Sequence, residues 1–221
     1  MHGNWPQQLL QAASLMGVLL GEKQLELFNR YYQEIMRWNE KINLLSRSSA
    51  EDTLLKNFID SLTAVQFLTA RESRVLDMGS GGGFPGIPLK IACPALQVSL
   101  LEASRKKASF LKHILRTLQL AKITVIHERA ENLRGQESCR NSFDTVISKA
   151  AFKLPQLLTL GAAFLRPGGI LMAMKGADIS DELAEARPAA AAAELLLTAS
   201  HALTLPVTGD RRQILIYTRA Q

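Results

Sequence analysis

The sequence predicts an α/β fold: a mostly parallel, seven-stranded sheet with helices on both faces, a terminal antiparallel hairpin and an N-terminal helical extension. Three observations carry this. Residues 1–70 show helical periodicity, residues from Arg74 onward alternate short apolar runs with helical stretches, and a glycine-rich turn follows the first of those runs. Strand–helix alternation implies right-handed crossovers, which make neighbouring strands parallel.

In the extension, Leu25, Phe28, Tyr32, Ile35 and Ile42 recur at helical steps, the stripe of an amphipathic helix. Trp38 near this face reads as core. Asn39 and Asn43, four apart on the same expected helix, read as ties between helix and domain, with capping of a substrate cleft as the alternative. A shorter helical pattern covers 54–68. Residues 71–221 then form the second unit. Its expected strands are 74–78, 97–102, 123–127, 144–148 and 170–174, with helices over 87–92, 105–118 and 154–165. An alanine-rich helix is expected over 179–199, broken or restarted at Pro188. Two final strands, 202–206 and 213–219, joined by TGDR, suggest an antiparallel hairpin at the sheet edge.

The composition narrows the class. With 221 residues, 47% hydrophobic and 21% charged, the chain is an ordinary globular domain with a small appendage. No apolar run approaches the ~18 residues of a membrane span, and the N-terminus lacks the order of a signal peptide. Cys93 and Cys139 form neither a disulfide framework nor a metal spacing, so a reducing cytoplasm is the expected compartment, with no metal. A monomer is expected. The net charge of +6 is uneven: residues 1–70 carry −1 and residues 71–221 carry +7. The basic excess therefore sits with the glycine motif, where it can attract a polyanion.

That motif is VLDMGSGGGFPGIPL, residues 75–89. Its glycines Gly81, Gly83 and Gly86 fit the dinucleotide pattern G-x-G-x-x-G, a weak signal alone. Three features sharpen it. Asp77 ends the strand two positions before Gly79, where a carboxylate would repel a pyrophosphate but suits an ammonium. Pro85 and Pro88 remove backbone donors from the helix start, and a pyrophosphate needs those donors. Glu102 ends the next strand, placed to accept from two ribose hydroxyls. Together they favour a nucleoside with a cationic amino-acid tail, S-adenosylmethionine, over NAD. The fold expected is then a Rossmann-like class I S-adenosylmethionine-dependent methyltransferase.

The motif set resembles the ribosomal RNA small-subunit methyltransferase G family, RsmG, also called GidB. The resemblance runs through WNEKINLL (38–45), FIDSL (58–62), the glycine motif, LLE (100–102), KKASFL (106–111), RAE (129–131), FDTVISKA (143–150) and GDR (209–211). It implies methyl transfer to N7 of a guanine in the 530 loop of 16S rRNA, with the rRNA or the small ribosomal subunit as partner. It also implies that Gly79, Phe84, Ala130, Glu131 and Lys149 line the cofactor pocket, with Ala130 and Glu131 beside the adenine. The family pattern has Arg where this chain has Lys149, and His where it has Asn57; lysine keeps the charge and loses the planar fork.

The chemistry agrees by omission. Guanine N7 has a lone pair, so transfer needs orientation rather than proton removal. The run SKAAF (148–152) is unlike the N-P-P-Y motif of exocyclic-amine methyltransferases, and neither cysteine follows a proline. No catalytic base or nucleophile is expected. Arg105, Lys112 and Arg116 share one face of their helix, opposite Leu111, Ile114, Leu115 and Leu118. With Arg211 they are candidate RNA contacts, a solvated basic face being an equal alternative for the helix row. Two alternatives stay open at this level: an NAD-dependent oxidoreductase, and a module that binds S-adenosylmethionine and RNA without turnover.

Overall fold

The computed structural model describes residues 4–45, 50–68, 70 and 72–221. The expected unit boundary, 70–71, abuts Arg71, which lies outside them. The extension forms α1 (Trp5–Leu15), α2 (Glu22–Asn39) and α3 (Ala50–Leu62), the last running into a 3₁₀ turn, Thr63–Phe67. Helix α2 buries Phe28, Tyr31, Tyr32 and Ile35 on one stripe. Its periodicity points on to Ile42, but the helix stops at Asn39. The reason is local: the Asn39 Oδ1 accepts from the Leu44 and Leu45 N–H groups at 3.0 and 2.9 Å, turning the chain back. Asn43 lies in that turn rather than on the helix.

The rest alternates as expected: β1 (Arg74–Met78), α4 (Gly86–Ala92), β2 (Gln97–Leu101), α5 (Arg105–Thr117), β3 (Ile123–Ile126), α6 (Ala130–Leu133), β4 (Phe143–Lys149), α7 (Leu154–Gly161), β5 (Leu165–Lys175), α8 (Ser180–Ala192), β6 (Leu195–Thr204) and β7 (Arg211–Arg219). The sheet order is β3-β2-β1-β4-β5-β7-β6. Strands β1 to β5 pair in parallel, and β7 pairs antiparallel with both β5 and β6.

Two hydrophobic clusters cover the two faces, sorted by strand alternation. Val75, Ile147, Met172 and Ile214 belong to one cluster; Leu76, Val146, Leu171 and Leu215 belong to the other. The first cluster also contains Trp5, Phe28, Tyr31 and Phe58, so the extension packs directly on the sheet unit's helices. Among the described residues no helix is long and apolar enough to cross a membrane.

One expectation fails clearly. The alanine-rich helix continues through Pro188 but ends at Ala192, not Ala199. Glu194 turns the chain at φ +54°, and Leu195–Thr204 pairs along β7 from Leu195↔Arg219 to Thr204↔Arg211. Hydrogen bonding to the outer edge of β7, with Leu195 buried, overrides the helix propensity of a leucine-rich run. Likewise the helix expected over 154–165 stops at Gly161, and LRPGG (165–169) already belongs to β5.

Candidate active site

The strand order reverses between β1 and β4, and the crevice beyond the C-terminal ends of strands at such a point is where α/β sheets bind ligands. Two loops meet there, the glycine turn after β1 and the stretch after β4. The Gly79 and Ser80 N–H groups donate to Leu101 O at 2.9 and 3.0 Å, tying the turn to β2. Gly79 has φ +74°, and a Cβ there would lie 2.5 Å from Ala151 Cβ and 3.1 Å from the Phe152 ring. Glycine is needed at this position both for its conformation and for the approach of the second loop.

Asp77 lies behind the turn, fully buried. Its Oδ2 accepts from Gly86 N–H at 3.0 Å, and its Oδ1 is buried without a partner. Burial pushes this carboxyl up to about 7, only partly opposed by the Gly86 bond and the charge of Lys149. The Gly86 donor is thus taken. Ile87 N–H goes to Gly83 O at 2.8 Å, Leu89 N–H to Pro85 O at 3.1 Å, and Pro88 has none. The start of α4 offers no open cradle for a pyrophosphate. Gly83 faces inward as well: a Cβ there would meet Ile87 at 2.5 Å and the Tyr31 hydroxyl at 2.6 Å.

The cavity has two lobes sharing Gly79 and Gly81. The smaller, about 270 Å³, is bordered by Glu102, Lys107, Ala130, Ala151 and Phe152. Glu102 is held firmly in it: Oε2 accepts from Gly81 N–H at 2.8 Å and Oε1 from Ser104 N–H at 2.7 Å. Each oxygen keeps a lone pair for a further donor. Ala130 opens α6 as a small buried surface, whereas Glu131 beside it points to solvent in the helix's first turn.

The larger lobe, about 380 Å³, is bordered by Phe84, Lys149, Lys56, Asn57, Leu44 and Leu45. Its far wall is therefore built by the extension. Lys149 Nζ donates to Asn57 Oδ1 at 2.6 Å and stands 5.6 Å over the Phe84 ring. Burial lowers the Lys149 pKa, with Arg212 and Lys56 adding repulsion and Asp60 and Asp77 opposing it. Helix α3 is clamped to the β6–β7 hairpin by Asp60–Arg212 at 3.1 Å and Lys56–Asp210 at 2.5 Å. From α2, the Tyr31 hydroxyl donates to Gly82 O at 2.5 Å, holding the glycine turn from outside.

Arg105, Lys112 and Arg116 are exposed on one face of α5, with Ala108, Leu111 and Ile114 buried on the other. Arg211 is exposed where β7 begins, while its neighbour Arg212 is engaged with Asp60. Sequence reasoning missed Lys56, Leu44, Leu45, Ala151 and Phe152 as cavity walls. Asn57 was visible only as a departure from a motif, with nothing local to place it against Lys149. Among the described residues no group of three or more His, Cys, Asp or Glu could hold a metal ion.

Residues 24–213 match the family model described as rRNA small subunit methyltransferase G. The chain belongs to this family. It is 44% identical to the ribosomal RNA small subunit methyltransferase G of Syntrophus aciditrophicus over 98% of this chain and 90% of that one. It is 34% identical to the protein of the same name from Oceanobacillus iheyensis, over 97% and 90%. Among solved structures, M. jannaschii TYW2 in complex with AdoMet superposes with a TM-score of 0.60 at 15% identity, covering 81% of this chain and 78% of that one. P. horikoshii TYW2 in complex with MeSAdo gives 0.55 at 12% identity, over 74% and 61%. These likenesses show the fold, the class I S-adenosylmethionine-dependent methyltransferase fold. For an RsmG chain the methyl donor is S-adenosylmethionine. The residues fit it: a carboxylate fixed in the smaller lobe, a crowded glycine at the junction and no phosphate cradle.

Proposed function

We propose that this chain transfers a methyl group from S-adenosylmethionine to N7 of a guanine in the 530 loop of 16S rRNA, without a general base. One observation carries the mechanism. The larger lobe, where the glycine turn meets Lys149 and the extension, is bordered by cations, an amide, the side chains of Thr53 and Ser80 and apolar groups. Among the described residues it has no carboxylate, imidazole or thiol in its walls. A nucleophile that must first lose a proton would find only the Lys56 and Lys149 ammoniums there, which donate to Asp210 and Asn57, whereas guanine N7 already has its lone pair. When bound, S-adenosylmethionine supplies an activated methyl on a sulfonium leaving group.

This chain's residues bind and orient. Glu102 accepts from the ribose hydroxyls and Ala130 gives the adenine a flat apolar neighbour, whereas Glu131, exposed beside it, does not line the lobe. Gly79 and Gly81 present backbone at the junction, and Asp77 supports them from below through Gly86, with Gly83 packing the turn onto Tyr31. Phe84 and Lys149 close the far end, where the lysine's charge suits a carboxylate or phosphate. The exposed row Arg105, Lys112 and Arg116, together with the exposed Arg211, neutralises RNA phosphates and positions the strand. The target base is read out of its stack, as loop bases are.

The test is direct. The protein is incubated with methyl-labelled S-adenosylmethionine and undermethylated small-subunit RNA, free or as assembled subunits, and modified guanines are mapped by chemical cleavage and primer extension. A single N7-methylguanine in the 530 loop is expected. Label at any other atom or base would sink the proposal.

A further inference from the structure

The wall formed by residues 150–152 is held in a conformation that its own residues do not favour. Ala150 has φ +56°, a region where an alanine Cβ crowds the backbone. Next to it, exposed Ala151 and half-buried Phe152 press against the place a Gly79 Cβ would occupy, and both border the smaller lobe.

Polar ties hold the wall instead. The Ala150 N–H donates to Met174 O at 3.3 Å. Lys175 Nζ donates to Phe152 O at 2.8 Å and to Glu182 Oε1 at 2.6 Å. The same Glu182 oxygen accepts from Leu154 N–H at 2.6 Å. One ammonium and one carboxylate thus grip the far end of the wall and the start of α7. Lys175 is only 9% exposed. Desolvation of the lysine offsets much of the attraction in this half-buried pair, so the pair is weak evidence for stability. Its geometry is better explained by what it holds.

We propose that Lys175 and Glu182 are positioning residues for the methyl donor: they keep the strained 150–152 wall against Gly79 and so set the affinity for S-adenosylmethionine without touching it. The inference rests on reading the smaller lobe as part of the donor site. Without the Lys175 ammonium, Phe152 O loses its donor, Ala150 relaxes toward negative φ, and the wall swings off the glycine turn. The effect falls on donor binding. RNA binding lies on another surface, and transfer from a fully loaded site is unaffected.

The experiment is calorimetric titration of S-adenosylmethionine into the full chain and its variants, alongside steady-state kinetics. Lys175→Met is expected to weaken donor binding about tenfold and to raise the donor KM equally, with kcat and the RNA KM within about twofold. Lys175→Arg keeps a donor and stays within about threefold of the wild type. Glu182→Gln, which keeps an acceptor, falls between the two and serves if Lys175→Met folds poorly. In an Ala150→Gly background the wall needs no restraint at positive φ, so adding Lys175→Met costs less than about threefold. Hydrogen exchange at 150–154 should quicken in Lys175→Met. Wild-type affinity in Lys175→Met, or a joint loss of kcat, both KM values and melting temperature, overturns the inference alone. Failure of the wild-type protein to bind S-adenosylmethionine overturns the donor-site reading and the inference with it.

Discussion

Lys149 Nζ donates to Asn57 Oδ1 at 2.6 Å, joining the end of β4 to helix α3 across the larger lobe. These are two positions where the resemblance to RsmG implies arginine and histidine instead. Their contact makes the two departures one: a shorter, single-point cation faces a small carbonyl acceptor in place of an imidazole. Lys149→Arg and Asn57→His are each expected to lower kcat/KM about tenfold, and the double variant to recover to within about threefold. Steady-state methylation of the three variants checks this. If the double variant shows the product of the two single losses, the positions are independent.

The buried Asp77 predicts a pH dependence of stability. Its carboxyl sits near 7 in the folded chain, against an ordinary value of 3.8. Between those values the native state holds a proton that the unfolded chain has released, so stability falls as pH rises through the interval and levels off above it. Asp77→Asn keeps an acceptor for Gly86 N–H and removes the titration. Thermal melts from pH 4 to pH 8 should therefore show the wild type losing ground to the variant by several degrees, about 4 °C or more, as the pH rises. Parallel melting curves at all pH values would show that Asp77 titrates normally.

Gly79 cannot carry a side chain. Its Cβ would overlap Ala151 Cβ at 2.5 Å, and its φ of +74° is unfavourable for any L residue. Gly79→Ala is expected to destabilise the fold by about 1–3 kcal/mol and to weaken donor binding by more than tenfold. Denaturant unfolding and calorimetry measure the two effects. Unchanged donor affinity would separate the 79–151 contact from the binding site.

The exposed row on α5 predicts a salt-dependent effect on RNA affinity. Reversing charge in the Lys112→Glu, Arg116→Glu pair should weaken RNA binding uniformly across sequences. It should also reduce the slope of log affinity against log salt by about 2, one for each phosphate no longer neutralised. Filter binding at several salt concentrations reads the slope, and S-adenosylmethionine affinity should stay put. An unaltered slope would mark the row as a solvated face.

Much of the framework was legible because it is local. The strand Arg74–Met78, the basic and apolar faces of α5, and Glu102 at the end of β2 all follow from periods of two and 3.6 and from adjacency to the glycines. What stayed hidden is non-local. Asn57 and Lys149 are 92 positions apart, and the fold of the extension onto the sheet unit brings them together. Residues 195–199 read as helix by composition, and the free edge of β7 makes them the start of a strand whose end, near 202, was expected. The orientation of Asp77 was hidden for a different reason: its place in the chain is explicit, but its side chain turns under the glycines to meet Gly86.

The two ion pairs between α3 and the hairpin, Lys56–Asp210 and Asp60–Arg212, span 154 and 152 positions. Contacts of such separation require the ends of a long loop to be brought together. During synthesis α3 leaves the exit tunnel early and waits for its partners until the whole sheet before them has been made. A nascent chain arrested before Asp210 would leave Lys56 and Asp60 without their counterparts. The clamping of α3, whose Lys56 and Asn57 border the larger lobe, is therefore tied to a hairpin translated long after the glycine turn.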